Sequence, residues 1–99
     1  MPTYIVLGNT TDQGRRAIEQ APSRLEASRK ALARLGGKPV SFYLTMGPYQ
    51  FVSVFEAPDD ETATKYIMAV TARGHLKTLT LKAFSEGDFR RIIKGGAPT

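Results

Sequence analysis

Few side chains in this 99-residue chain are of the types that do chemistry. His75 is the only histidine, and there is no cysteine. Its imidazole has a reference pKa near ~6.5, which suits a general base. One His without Cys does not make a zinc site, and no Ser–His–acid triad is readable. Haem ligation is the remaining metal reading of His75, and nothing else in the sequence supports it. Asp59, Asp60 and Glu61 resemble a metal or acid–base cluster, yet they stand where a helix begins and suit its positive end. Asp12, in Thr11-Asp12-Gln13-Gly14, has the same status. Tyr49 and Gln50 follow Gly47-Pro48, a turn-forming pair. At the start of a strand, Tyr49 is placed to hydrogen-bond a ligand. His75 and Tyr49 are therefore the candidates for moving a proton, and no cofactor or metal is implied. Gly8-Asn9 and Gly36-Gly37 lack the GxxxxGK[ST] spacing of a phosphate loop.

Those residues must be held by regular elements. Thr3–Gly8 is rich in β-branched and aromatic types and predicts a first strand. Thr10 and Gln13 have capping-box spacing, with a short helical turn over 12–19. Pro22 cannot sit inside a helix but suits a first turn. A second helix is expected from Pro22 to about Leu35, where Leu25, Ser28, Leu32 and Leu35 make one stripe. Gly36-Gly37 ends it. Residues 38–46 and 50–57 read as a hairpin around Met46-Gly47-Pro48. Asp59 caps a helix with Ala63, Tyr66, Ile67 and Val70 on its apolar face, stopped by Gly74. Residues 75–84 alternate as a fourth strand. Ser85 caps a last short helix carrying Phe89, Ile92 and Ile93, and 95–99 reads as a loose tail. Gly14 is poor for a helix interior, so a close approach to a neighbouring strand or partner subunit is expected there.

The order β-α-β-β-α-β predicts an α+β, ferredoxin-like fold in a single domain, residues 1–94. Its four-stranded antiparallel sheet carries both helices on one face. Alternate strand residues point to opposite sides. Val52, Val54, Leu79, Leu81 and Ala83 form an aliphatic set expected beneath the helices. The other set holds Phe51, Phe55 and Tyr43 among Ser41, Thr45, Ser53, Thr78 and Thr80. For the first strand the sides stay unassigned. Three aromatics of ~150–250 Å² each represent roughly 10 kcal/mol when buried. A second sheet, from a symmetric partner chain, is therefore expected over the aromatic set. Tyr43, Tyr49, Ser53, Thr78 and Thr80 would then line a ligand cavity between the sheets.

The segments TDQG (11–14), Pro22-x-Arg24, FYLTMGPY (42–49), VFEAPDDE (54–61) and Gly74–Phe84 resemble the GYD-domain family. They span most of the chain. The resemblance implies a dimeric α+β barrel and carries no established activity. Its signature has an acidic residue after Gly-x-Tyr, where this chain has Gln50.

Net charge is +5, with Arg15, Arg16, Arg24, Arg29, Lys30, Arg34 and Lys38 in the first half. Without a nucleic-acid module signature this is a solvated basic surface rather than a nucleic-acid site. The opening MPTYIVLGNT lacks the basic start and longer apolar stretch of a secretory signal. No run approaches a membrane span, and the missing cysteines fit a reducing compartment. A soluble cytoplasmic protein is expected. Three functions stay open: a homo-oligomeric binder of a small polar or aromatic molecule, a cofactor-independent monooxygenase or isomerase, and a structural or regulatory interaction partner without a ligand.

Overall fold

The computed structural model describes residues 1–96. The elements run β1 (Thr3–Thr10), α1 (Asp12–Arg16), α2 (Ala21–Arg34), β2 (Lys38–Leu44), β3 (Phe51–Glu56), α3 (Asp60–Thr71), β4 (Leu76–Ala83) and α4 (Glu86–Gly96). The strands form one sheet in the order β2-β3-β1-β4, and every neighbouring pair is antiparallel. This is the expected split arrangement. The short helix α4 reaches Gly96, two residues into the stretch read as a tail, while 97–99 lie outside the described residues.

Local chemistry sets the boundaries. Pro22 sits in the first turn of α2, where its missing N–H costs nothing. Arg24 donates to the Ala17 carbonyl at 2.9 Å and so holds the preceding turn onto the helix. At the other end Gly37 N–H bonds the Leu32 carbonyl at 2.9 Å and Gly36 N–H that of Ala33 at 3.0 Å, the paired bonds of a Schellman closure. The Asp59 carboxylate caps α3, accepting from Thr62 N–H at 2.8 Å. Ser85 Oγ accepts from Asp88 N–H at 3.0 Å. At α1 the cap is Thr11, whose hydroxyl accepts from Gly14 N–H. The expected Thr10–Gln13 box is therefore displaced by one residue, because Thr10 still belongs to β1.

Register decides which sheet face meets the helices. Tyr4 stands opposite Phe55, Val6 opposite Ser53 and Gly8 opposite Phe51. On the other side Tyr4, Val6 and Gly8 face Lys82, Thr80 and Thr78. This set lies under the helices. The buried core is Tyr4, Val6, Phe55 and Ala57 from the sheet side with Leu32 and Ala63 from α2 and α3. Phe55 stacks on Tyr4 with centroids 5.2 Å apart and meets Tyr66 edge-on at 5.0 Å. Phe51 stacks on Phe42 at 5.7 Å and lies across β1 at Gly8, where any Cβ would collide with its ring.

The expected sides are thus exchanged for β3 and β4: Phe51 and Phe55 belong to the intramolecular core, and Val52, Val54, Leu79 and Leu81 lie on the opposite face, whereas Tyr43 of β2 faces outward as expected. Alternation reports that two sides exist, not which one the helices take. Here the Phe55 ring fills the space beneath the helices, stacked on Tyr4 and edge-on to Tyr66.

Thr11–Gly14 clasps the segment before β4. Thr11 N–H bonds the His75 carbonyl at 3.0 Å, and its hydroxyl donates to the Gly74 carbonyl. A Cβ at buried Gly14 would strike the His75 carbonyl oxygen, so the expected close approach is to the chain leading into a neighbouring strand. Helix propensity alone would have Gly14→Ala raise stability by ~1 kcal/mol. The collision reverses the sign. Gly14→Ala is expected to lower stability by about 1–3 kcal/mol, read from the urea midpoint.

Candidate functional site

The outward sheet face is built from Ile5 and Leu7 of β1, Val52 and Val54 of β3, and Leu79 and Leu81 of β4. Ile5 pairs with Val54 and Leu81, and Leu7 with Val52 and Leu79. The six side chains are therefore contiguous across three strands. Among the described residues no element covers them; Leu79 and Leu81, on the edge strand β4, are 47% and 43% exposed. Tyr43, opposite Val52, extends the surface onto β2 and is 64% exposed. Polar residues ring it: Thr3, Glu56 and Lys38 at one end, Asn9 and Lys77 at the other. An apolar centre with a polar rim is the anatomy of a protein interface.

At the Asn9–Lys77 end lies an open cleft of about 330 Å³ lined by Leu7, Asn9, Tyr49, Lys77, Thr78 and Leu79. The loop that presents Tyr49 is pinned to β1. Asn9 Nδ2 donates to the Pro48 carbonyl at 3.1 Å. Gln50 N–H reaches Gly8 O at 2.9 Å and Asn9 Oδ1 at 3.0 Å. Thr45 Oγ donates to Tyr49 O at 2.6 Å. Gln50 Oε1 accepts from both Thr10 N–H at 2.7 Å and Thr10 Oγ at 2.9 Å. The side-chain oxygen at position 50 thus closes the loop onto the end of β1, a task a carboxylate oxygen would also perform.

The sequence-derived ligand residues do not share one surface. Tyr43 is on the open face. Ser53, Thr78 and Thr80 occupy the helix side, in register with Val6, Gly8 and Val6, although Thr78 also borders the Tyr49 cleft. One cavity between paired sheets cannot be lined by both groups, because the register puts them on opposite faces. Half-buried His75 is not among the residues lining the Tyr49 cleft; its carbonyl accepts from Thr11 N–H and lies close against Gly14. The structure does not bring His75 and Tyr49 into one cleft.

A second open cleft, about 290 Å³, lies between α3 and β4 and is bordered by Tyr4, Asp60, Ala63, Ile67, Thr80 and Lys82, among others. Tyr4 donates its hydroxyl to Asp60 Oδ1 at 2.5 Å, and Lys82 Nζ lies 2.9 Å from the same oxygen. Burial, and after it the hydrogen bond and charge of Asp60, push the Tyr4 phenol from 10.0 up to about 12. Hydrogen bonds from Tyr4 and then Lys82 hold the Asp60 carboxyl below its ordinary range. Both shifts stabilise the resting protonation states, so the trio ties α3 to β1 and β4 and does not move a proton near neutrality. Asp59 is likewise lowered, chiefly by its hydrogen bonds with Thr62. The acidic cluster thus divides into a cap and a clamp. Sequence reading anticipated the cap, but the clamp joins residues 56 positions apart. Among the described residues no three metal-ligating side chains come together.

A family model described as GYD domain matches residues 4–93. A curated protein of Thermus thermophilus, named "Glutamine synthetase and cystathionine beta-lyase binding protein", is 38% identical over 95 residues, covering 95% of this chain and 100% of its own length. A crystal structure of a protein from the same organism superposes with a TM-score of 0.55 at 24% identity, over 86% of this chain and 95% of the other. That likeness supports the fold.

Two expectations follow from the contacts. Gln50→Leu strips the acceptor from both Thr10 donors and is expected to cost about 1 kcal/mol, whereas Gln50→Glu keeps the bonds, now charge-assisted; chemical denaturation at neutral pH separates the two. The clamp also gives stability a pH dependence. Asp60 has a folded pKa below its ordinary 3.8, so its contribution is full above that value and lost as pH falls through the folded one. Tyr4 has the opposite sign, full below 10.0 and lost as pH rises through about 12. Urea midpoints followed with pH are expected to flatten on the alkaline side in Tyr4→Phe and on the acid side in Asp60→Asn.

Proposed function

This chain belongs to the GYD domain family, and from that premise we propose that it is a protein-interaction module. It pairs with a second copy through its open sheet face and in that form binds enzymes of amino-acid metabolism. The carrying observation is the uncovered surface of Ile5, Leu7, Val52, Val54, Leu79 and Leu81. Burying an exposed aliphatic side chain stabilises by ~1.5–3 kcal/mol. Six that are partly exposed offer roughly 5–9 kcal/mol as an upper bound. A closed two-fold pair satisfies such a face on both copies at once.

The enzyme partners are suggested by the Thermus thermophilus relative, whose name gives glutamine synthetase and cystathionine beta-lyase as what it binds. The absence of cysteine suits work beside enzymes in a reducing cytoplasm. The continuous aliphatic centre favours close packing of the sheets over a ligand cavity. A small-molecule reading survives at one place, the rim cleft, where Tyr49, Asn9 and Lys77 converge on a space suited to a small anionic or aromatic compound. The alternative of a monooxygenase or isomerase has less behind it, since His75 and Tyr49 lack a shared cleft.

The wild-type chain is expected to sediment as a dimer at micromolar concentration. Leu79→Asp or Leu81→Asp, which would bury an unpaired charge, is expected to give a folded monomer with unchanged circular dichroism. Wild-type protein is expected to retain purified glutamine synthetase or cystathionine beta-lyase on a column, and the monomeric variants to retain less. A wild-type monomer would remove the pairing; failure with both enzymes would remove the assigned partners.

A further inference from the structure

We infer that α4 is an exchanged arm: in the paired form it packs across the β2 edge of the second copy. This rests on the sheet pairing proposed above and adds to it a specific contact.

The helix has an apolar side with nothing of its own to cover. Phe89, Ile92 and Ile93 fall at i, i+3 and i+4, one face of a helix, and they are 59%, 41% and 55% exposed. The other side is held in order by Arg90–Glu86 at 2.7 Å and Arg91–Asp88 at 3.4 Å. Against the body of the chain α4 makes no extensive packing. An 11-residue helix is too short to persist in water by propensity alone, so its apolar side calls for a partner.

The matching surface is at the far edge of the sheet. β4, from which α4 springs, is one edge strand and β2 is the other. The β2 edge carries Val40 at 55% exposure, Tyr43 at 64%, Leu44 at 83% and, just beyond it, Met46 at 99%. α2 covers only part of this strand. A free, apolar edge strand invites uncontrolled pairing, and folded proteins cover such edges with a helix or loop. Face-to-face pairing about a two-fold axis running along the strands sets the β4 edge of one copy over the β2 edge of the other. β4 ends beside Thr3, at the end of the sheet where β2 begins, so each α4 starts over Lys38–Val40 of the second copy's β2, and its length of about 16 Å, laid back along that edge, reaches the level of Tyr43.

Area argues for the same occupant. Four strands spaced ~4.8 Å, up to eight residues long at ~3.3 Å each, present a face of about 500 Å². A standard interface buries ~800 Å² on each partner. The deficit of roughly 300 Å² is of the size that a half-exposed helix face and the β2 strip beneath it supply.

The test exploits the missing cysteines. Two full-length single variants, Ile93→Cys and Tyr43→Cys, are mixed under mild oxidation, so any heterologous disulfide joins different chains. The Tyr43–Ile93 disulfide is expected to dominate, while Lys30→Cys on α2 mixed with Ile93→Cys yields little. In parallel Phe89→Asp is expected to raise the dimer dissociation constant at least tenfold. A wild-type dimer with no selective Tyr43–Ile93 disulfide, or with an affinity indifferent to Phe89→Asp, would overturn the arm and leave the sheet pairing standing. A wild-type monomer would overturn both. Binding of α4 to phosphatidylserine vesicles, lost in Phe89→Asp while the dimer constant stays fixed, would reassign the helix to a membrane surface.

Discussion

A four-stranded sheet has two faces, and the described helices cover only one of them. Almost everything else follows from that imbalance. Both sides of β3 are apolar: Phe51 and Phe55 point one way, Val52 and Val54 the other. The side beneath α2 and α3 is closed by stacked and edge-on rings, and the opposite side remains a continuous aliphatic plane. Burial on one face gives the monomer its core. The uncompensated apolar area on the other gives it a reason to associate.

The residues that look most reactive turn out to be largely architectural. Asp59 caps a helix and Asp60 anchors Tyr4 and Lys82. Gln50 and Asn9 fasten the Tyr49 loop to β1. Thr11 and Gly14 grip the backbone at Gly74 and His75. These contacts span long sequence separations and tie the strand ends together, so the motifs shared with the GYD family are explained in good part by the joints they make. Tyr49 differs, because its side chain lines a cleft beside Lys77 at the rim of the open face.

Several features were legible from residue types alone because their causes are local. Pro22 at a helix start, Asp59 and Ser85 as caps, and Gly36-Gly37 as a stop each act within one turn of chain. The element order, and with it the split βαββαβ architecture, follows from such signals. The expected ligand set failed for a different reason. Tyr43 and the group Ser53, Thr78 and Thr80 were placed together by matching residue types across strands, and alternation within one strand carries no phase relative to its neighbour, so Tyr43 fell into the wrong company. That phase is set where the hairpin pairs, with Tyr43 opposite Val52 and Leu44 opposite Phe51, and a single step of register moves every side chain of a strand to the other face.

By itself the amino-acid order determined that two apolar faces would exist, the order of helices and strands with their starts to within a residue, and that no thiol chemistry would occur. Only the tertiary structure decided which face is covered, that the single histidine contributes its carbonyl, and that Asp60 meets a tyrosine far away in the chain. Alternation is a local property with no sign. The sign is set when strands register against one another and the helices choose a side, and that choice depends on the fit of rings beneath α2 and α3, a contact between residues that lie far apart along the backbone.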